Sequence, residues 1–60
     1  MDNIAIGNLC QTWRKENNIK QSDIASDLEV SVETISAFEN GRTNNARVLM
    51  WYIEHGLTLT

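Results

Sequence analysis

The chain contains no proline, one cysteine, one histidine and three glycines. Without proline, no residue forces a break inside a helical stretch. A lone cysteine leaves no partner for an internal disulfide, and Cys10, which falls on an apolar helical face, reads as a buried reduced thiol. With His55 the only histidine, neither a zinc site nor a Cys/His nucleophilic dyad finds support. Gly7, Gly41 and Gly56 are too scattered for a phosphate-cradling loop. No apolar run approaches the roughly 18 residues that span a membrane, and no basic-then-apolar leader opens the chain. The expected placement is cytoplasmic, with no membrane partner. Basic residues are also scarce: five Lys and Arg stand against eight Asp and Glu, for a net charge of −3. That balance argues at first sight against nucleic acid. Asp23 and Asp27, four apart, mimic a catalytic carboxylate pair, but too little chain surrounds them to build a pocket, so they read as a solvated acidic face. No enzyme activity, metal or cofactor is expected. At 60 residues the chain is one domain near the lower limit for folding alone. Oligomerisation is a natural source of further stability.

What is present is helical punctuation. Around Val32 to Asn40, Ser31 is a good N-cap, Glu33 lies in the first turn where the helix dipole favours negative charge, and Gly41 can end the helix in a left-handed conformation. Val32, Ile35 and Phe38 make one apolar stripe, leaving Glu33, Thr34, Ser36 and Ala37 for the other faces. Before it, residues 21–28 place Ile24, Ala25 and Leu28 on one side. A connection of about three residues between two such helices makes a helix-turn-helix. Residues 3–16 carry Ile6, Leu9, Cys10 and Trp13 at i, i+3, i+4 and i+7, start at Asp2 or Asn3, and end at Asn17-Asn18. A fourth helix over 45–55, capped by Asn44 or Asn45, has Val48, Leu49, Tyr52 and Ile53 on one face and stops at Gly56. Met50 and Trp51 then fall off that face and read as a partner surface. Leu57-Thr58-Leu59-Thr60 alternates as a short strand would.

The run Gln21-x-x-Ile24-Ala25-x-x-Leu28-x-Val30-Ser31-x-x-Thr34-Ile35-Ser36-x-Phe38-Glu39-Asn40-Gly41 resembles the DNA-binding domain of the phage repressor and Cro family. Gly41-Arg42-Thr43-Asn44-Asn45-Ala46-Arg47-Val48-Leu49 resembles the linker and following helix of small lambdoid repressors, so that the likeness covers roughly residues 6 to 57. It implies an all-α, compact four-helix, lambda-repressor-like fold, here with a short extended C-terminal tail. Two positions depart from the pattern. Lys20 stands where the family commonly has a Ser, Thr or Asn cap, and Glu29 stands where many members carry Gly. If residue 29 needs positive φ, Glu costs roughly 1 kcal/mol of strain there.

The resemblance implies that helix 32–40 enters the major groove of double-stranded DNA. Val32, Glu33, Ser36 and Ala37 would meet base edges; Gln21, Ser31, Thr34, Asn40, Arg42 and Arg47 would meet the sugar-phosphate backbone. Glu33 can accept from cytosine N4, and Val32 and Ala37 can touch thymine methyls. The basic residues form two groups that bracket the motif in sequence, Arg14, Lys15 and Lys20 before it and Arg42 and Arg47 after it; if they also bracket it in space, they would grip phosphates on either side of the groove. The expected function is a small sequence-specific transcriptional regulator of phage or mobile-element type, a homodimer at least on DNA, with Met50, Trp51, Leu57 and Leu59 as its partner interface. Two alternatives remain. The fold could be a protein-binding module, an antirepressor or anti-immunity factor, or it could be the antitoxin of a toxin–antitoxin pair. Residues 21–41 contain Asp23, Asp27, Glu29, Glu33 and Glu39 and no Lys or Arg, so the charge of that face discriminates.

Overall fold

Four helices follow one another in a computed structural model that describes residues 2–58: α1 (Asn3–Glu16), α2 (Gln21–Leu28), α3 (Val32–Glu39) and α4 (Ala46–Glu54). Each begins where the local chemistry allows. Asp2 accepts from the Ala5 amide, Ser31 from the Thr34 amide and Asn45 from the Val48 amide. Lys20 has no acceptor to offer at the start of α2. The helix is instead held by the reverse contact, in which the Lys20 amide donates to the Asp23 carboxylate at 3.1 Å, one half of a capping box.

All four helices end in the same way. An amide just past the helix end reaches back five residues: Ile19 to Arg14, Val30 to Ala25, Arg42 to Ala37 and Leu57 to Tyr52. The residue before it bonds three back and takes a positive φ, at Asn18 (57°), Glu29 (58°), Gly41 (76°) and Gly56 (118°). These are Schellman closures, which satisfy orphan carbonyls and turn the chain inward. Three of the four use Asn or Gly, for which the left-handed region is inexpensive. Glu29 is the exception and carries the strain expected of a side chain there. In three closures the next residue is apolar and drops back onto the core: Ile19 and Val30 are half-buried and Leu57 is buried.

The core comprises Cys10, Ile24, Ala25, Ile35, Phe38, Val48, Trp51, Tyr52 and Leu57. α3 lies between α1 and α2 and packs against both. Where α1 crosses the end of α3 the backbones touch. A Cβ on Gly7 would lie 2.6 Å from the Phe38 carbonyl oxygen, and one on Gly41 would lie 2.6 Å from Ile4 Cγ1. Gly7, a weak point by helix propensity, is therefore the residue that lets these helices meet.

Several expectations from the sequence are corrected. Trp51 is buried (7 % exposed), while Ile53 stands 37 % exposed. The inward face of α4 is Val48, Trp51 and Tyr52. The larger indole wins because it meets Trp13 and Tyr52 edge-on, with ring centres 6.4 and 5.6 Å apart, and because its Nε1 donates to Asp27 Oδ2 at 2.6 Å. Leu57 is likewise a core residue and no partner surface, drawn in by the closure after α4, and no strand occurs among the described residues. Leu59 lies outside the described residues. Val32 does not share the buried stripe of Ile35 and Phe38; it stands 42 % exposed at the first position of α3. No helix among the described residues is long and apolar enough to cross a membrane.

Glu29→Gly should stabilise the fold by about 1 kcal/mol by relieving the left-handed strain, raising the thermal midpoint by about 4–8 °C. Gly7→Ala should lower it, by about 1–3 kcal/mol or more, because no low-energy shift makes room for the methyl group. Calorimetric melts of the two variants check both signs.

Candidate nucleic-acid interface

The outer face of α3 is positioned from within. Glu39, the last residue of α3, is 1 % exposed, and its carboxylate collects donors from the three other helices. Arg14 of α1 donates through Nε to Oε2 at 2.7 Å and through Nη2 to Oε1 at 3.1 Å, a two-pronged ion pair. Gln21, the first residue of α2, donates through Nε2 to Oε1 at 3.0 Å. Tyr52 of α4 donates its hydroxyl to Oε2. Arg14 also donates through Nη1 to the Ile19 carbonyl at 2.9 Å, tying in the turn after α1. No buried side-chain nitrogen or oxygen among the described residues is left without a partner.

Burial alone would push the Glu39 carboxyl up, but the hydrogen bonds from Arg14, Tyr52 and Gln21 together outweigh it, and the group is held below its ordinary 4.5. Burial, reinforced by the Glu39 charge, pushes the Cys10 thiol up to about 11, so it stays protonated and unreactive at neutral pH. Burial and the hydrogen bond to Glu39 raise the Tyr52 phenol as well.

This network corrects the assignment of Arg14 to a phosphate-gripping group: Arg14 is buried, and its charge is consumed inside the fold. The position was readable in part. Gly7, Cys10 and Arg14 fall at i, i+3 and i+7 on one stripe of α1, and all three are buried. The stripe read from the sequence ran through the large apolar residues and passed over the arginine beside them. Glu39 was visible as part of the Glu-Asn-Gly signature, but its structural task was not.

The base-reading candidates lie at the start and outer face of α3. Val32 and Glu33 are exposed, and Ser36 and Ala37 are half-buried. Ser31 and Thr34 share a hydrogen bond of 3.0 Å between their hydroxyls at the exposed N-terminus of α3, where backbone amides point outward. Asn40 folds back on the helix, its Nδ2 donating to the Ser36 carbonyl at 2.9 Å and to the Ser36 hydroxyl at 3.3 Å. Gln21 is half-buried and spends its amide nitrogen on Glu39, leaving its side-chain carbonyl as the spare polar atom. Arg42 is exposed in the loop after α3. Arg47, also exposed, donates through Nη2 to the Leu28 carbonyl at 3.1 Å, so it braces the turn between α2 and α3 from α4. Val32, Glu33, Ser36 and Ala37 thus share one helix, and Ser31 and Thr34 share its N-terminus. Met50 is 49 % exposed on α4; of the four partner-surface candidates it alone remains an exposed side chain among the described residues.

The helix-turn-helix formed by α2 and α3, with α3 braced on its inner face and open on its outer one, sits within a sequence match. A family model described as helix-turn-helix matches residues 11–49 of the 60. The chain belongs to the Cro and repressor type of helix-turn-helix family. Members of this family are DNA-binding regulators, and this helix-turn-helix chain is read as one. No curated protein and no solved structure matches it.

Glu39→Gln removes the charge that Arg14 needs, and breaking one side of a buried pair costs about 3–5 kcal/mol. Because the Glu39 carboxyl is held below 4.5 when folded, its contribution is complete above that pH and fades as pH falls through the depressed folded value. The stability gap between the native chain and Glu39→Gln, read from denaturant titrations, should be wide at neutral pH and narrow steadily on acidification below 4.5.

Proposed function

We propose that this helix-turn-helix protein is a small sequence-specific transcriptional regulator of phage or mobile-element type, a single domain over residues 1–60, which lays α3 in the major groove of double-stranded DNA. The observation that carries the proposal is the two-sidedness of α3. Ile35, Phe38 and Glu39 fix its inner face, while Val32 and Glu33 stand in solvent at its N-terminal end. In this reading Glu33 accepts from a cytosine N4 amine, Val32 and Ala37 touch thymine methyl groups, and Ser36 supplies a hydroxyl to a base edge. Ser31, Thr34 and the Gln21 carbonyl side meet the phosphodiester backbone, with Asn40 and Arg42 beside them, while Arg47, held to the Leu28 carbonyl, adds its charge at the edge of this surface. No bidentate Arg, Asn or Gln reads a base, so sequence preference leans on DNA shape as well as on these few contacts. Two copies would set two such helices on half-sites about 34 Å apart. Lys15, Lys20, Arg42 and Arg47 supply the exposed positive charge, at a salt slope of about 0.9 per phosphate neutralised.

A second reading, a protein-binding module that engages another regulator, draws on a specific observation. With Arg14 consumed inside the fold, Asp23, Asp27, Glu29 and Glu33 are all exposed along α2, the turn and the start of α3, and no Lys or Arg interrupts them in sequence.

Fluorescence anisotropy separates the two. The duplexes would be the DNA upstream of the chain's own gene and a scrambled control, each at low and physiological salt. Preference for the upstream duplex, weakening steeply with salt, is the expected result; absence of binding to either duplex at low salt would transfer the function to the acidic surface. On the preferred duplex, Glu33→Ala should relax discrimination at one base pair by about 1–3 kcal/mol, and an unchanged base preference at every position would remove Glu33 from the readout. Arg42→Ala should weaken all duplexes alike and flatten the salt dependence.

A further inference from the structure

The inward rotation of Trp51 leaves the opposite side of α4 with an uncovered pattern. Ala46, Met50 and Ile53 are exposed, Met50 and Ile53 by 49 % and 37 %, with half-buried Leu49 beside them. They fall at i, i+3, i+4 and i+7, an apolar stripe along the whole outer side of a helix of nine residues. On a helical projection at 3.6 residues per turn, Arg47 and Glu54 lie together along one flank of that stripe, and both are exposed. They stand near the two ends of the helix, on either side of Met50.

We propose that this face of α4 is the surface on which a second copy of the chain docks, with the two α4 helices antiparallel across a twofold axis that passes beside Met50. This deepens the dimeric reading given above and rests on it. The occupant follows from symmetry. A twofold perpendicular to a helix reverses its direction but keeps the same flank on the same side. Each Arg47 therefore comes opposite Glu54 of the partner subunit, twice in one dimer, while Met50 comes against its own copy. A parallel pairing, with the twofold along the helices, would carry the two charged flanks to opposite sides of the pair and leave Arg47 and Glu54 without each other. The antiparallel register is thus the one in which the apolar stripe and both charges are satisfied together, and the charges select it even where they add little affinity. Arg47 keeps one guanidinium nitrogen on the Leu28 carbonyl, which holds its side chain at the flank at reduced entropic cost. A pair of helices this short covers less than the roughly 1,200 Å² of a stable interface. The dimer is therefore weak in free solution and completes when two copies occupy adjacent half-sites.

The position of Met50 on the axis gives a test that needs no DNA. Cys10 is fully buried, so in a Met50→Cys protein the new thiol is the one open to mild oxidation. Disulfide-linked dimer should form at least about tenfold faster in Met50→Cys than in a Ser22→Cys control on exposed α2, since a paired thiol sees its twin at an effective concentration in the millimolar range. Adding Glu54→Arg should slow the reaction toward the control, and adding Arg47→Glu on top should restore it. Equal rates in Met50→Cys and Ser22→Cys would overturn the surface. A fast Met50→Cys reaction indifferent to the charge reversals would overturn the antiparallel register. Failure of DNA binding with crosslinking intact would instead count against the regulator and leave the dimer standing.

Discussion

One carboxylate organises the molecule. Glu39 ends α3, and the groups that hold its charge come one from each remaining helix: Arg14 from α1, Gln21 from α2 and Tyr52 from α4. Hydrophobic burial drives the collapse of this chain, but it has no direction and would tolerate several rotations of such short helices. Charge-assisted hydrogen bonds have direction. Moving any helix by a fraction of its diameter leaves a buried charge unpaired, a cost the small core cannot absorb. The ion pair adds little net energy, because desolvation offsets most of its attraction. Its effect is to select one arrangement from those the apolar core permits.

The consequences reach the outer surface. The side chains proposed to meet DNA sit on a helix whose rotation is set at its far end by Glu39 and at its sides by Ile35 and Phe38. Gln21 belongs to both surfaces, its nitrogen inside the network and its carbonyl free. Arg47 has a related double position, spanning from α4 to the last carbonyl of α2. The motif is therefore not a free-standing pair of helices. α1 and α4 supply the braces that hold its turn and the end of its second helix.

Most of the fold was legible in the sequence because helix boundaries are written in local chemistry. Asp2, Ser31 and Asn45 cap, Asn18, Gly41 and Gly56 close, and the ranges read from them agree with the observed helices to within a residue at each end. The departure of Glu29 from the family's glycine left two outcomes open, a strained left-handed residue or a different turn, and the residue is found left-handed at φ 58°. What local chemistry could not show was the direction each face took in three dimensions. Trp51 was set outside because Leu49 and Ile53 completed a good stripe without it, yet the contacts with Trp13 and Asp27 that draw it inward come from helices distant in sequence. Arg14 failed for the same reason: a cation at a helix end reads as solvated until a buried carboxylate 25 residues away is placed beside it. Leu57 read as tail, and only the backbone closure after α4 turns it into the core.

The two-pronged contact between Arg14 and Glu39 also limits how this sequence can change over generations. A surface charge can drift one residue at a time, since each intermediate still folds. Here a change at either partner alone strands the other, so single steps lead through chains that fail to accumulate. The pair can be exchanged for an apolar one of similar volume only by two coupled changes, with Gln21 and Tyr52 adjusting to the lost acceptor. Among distant descendants of this chain, these four positions should therefore vary as a block or not at all, while the residues on the outer face of α3 diverge freely beside them.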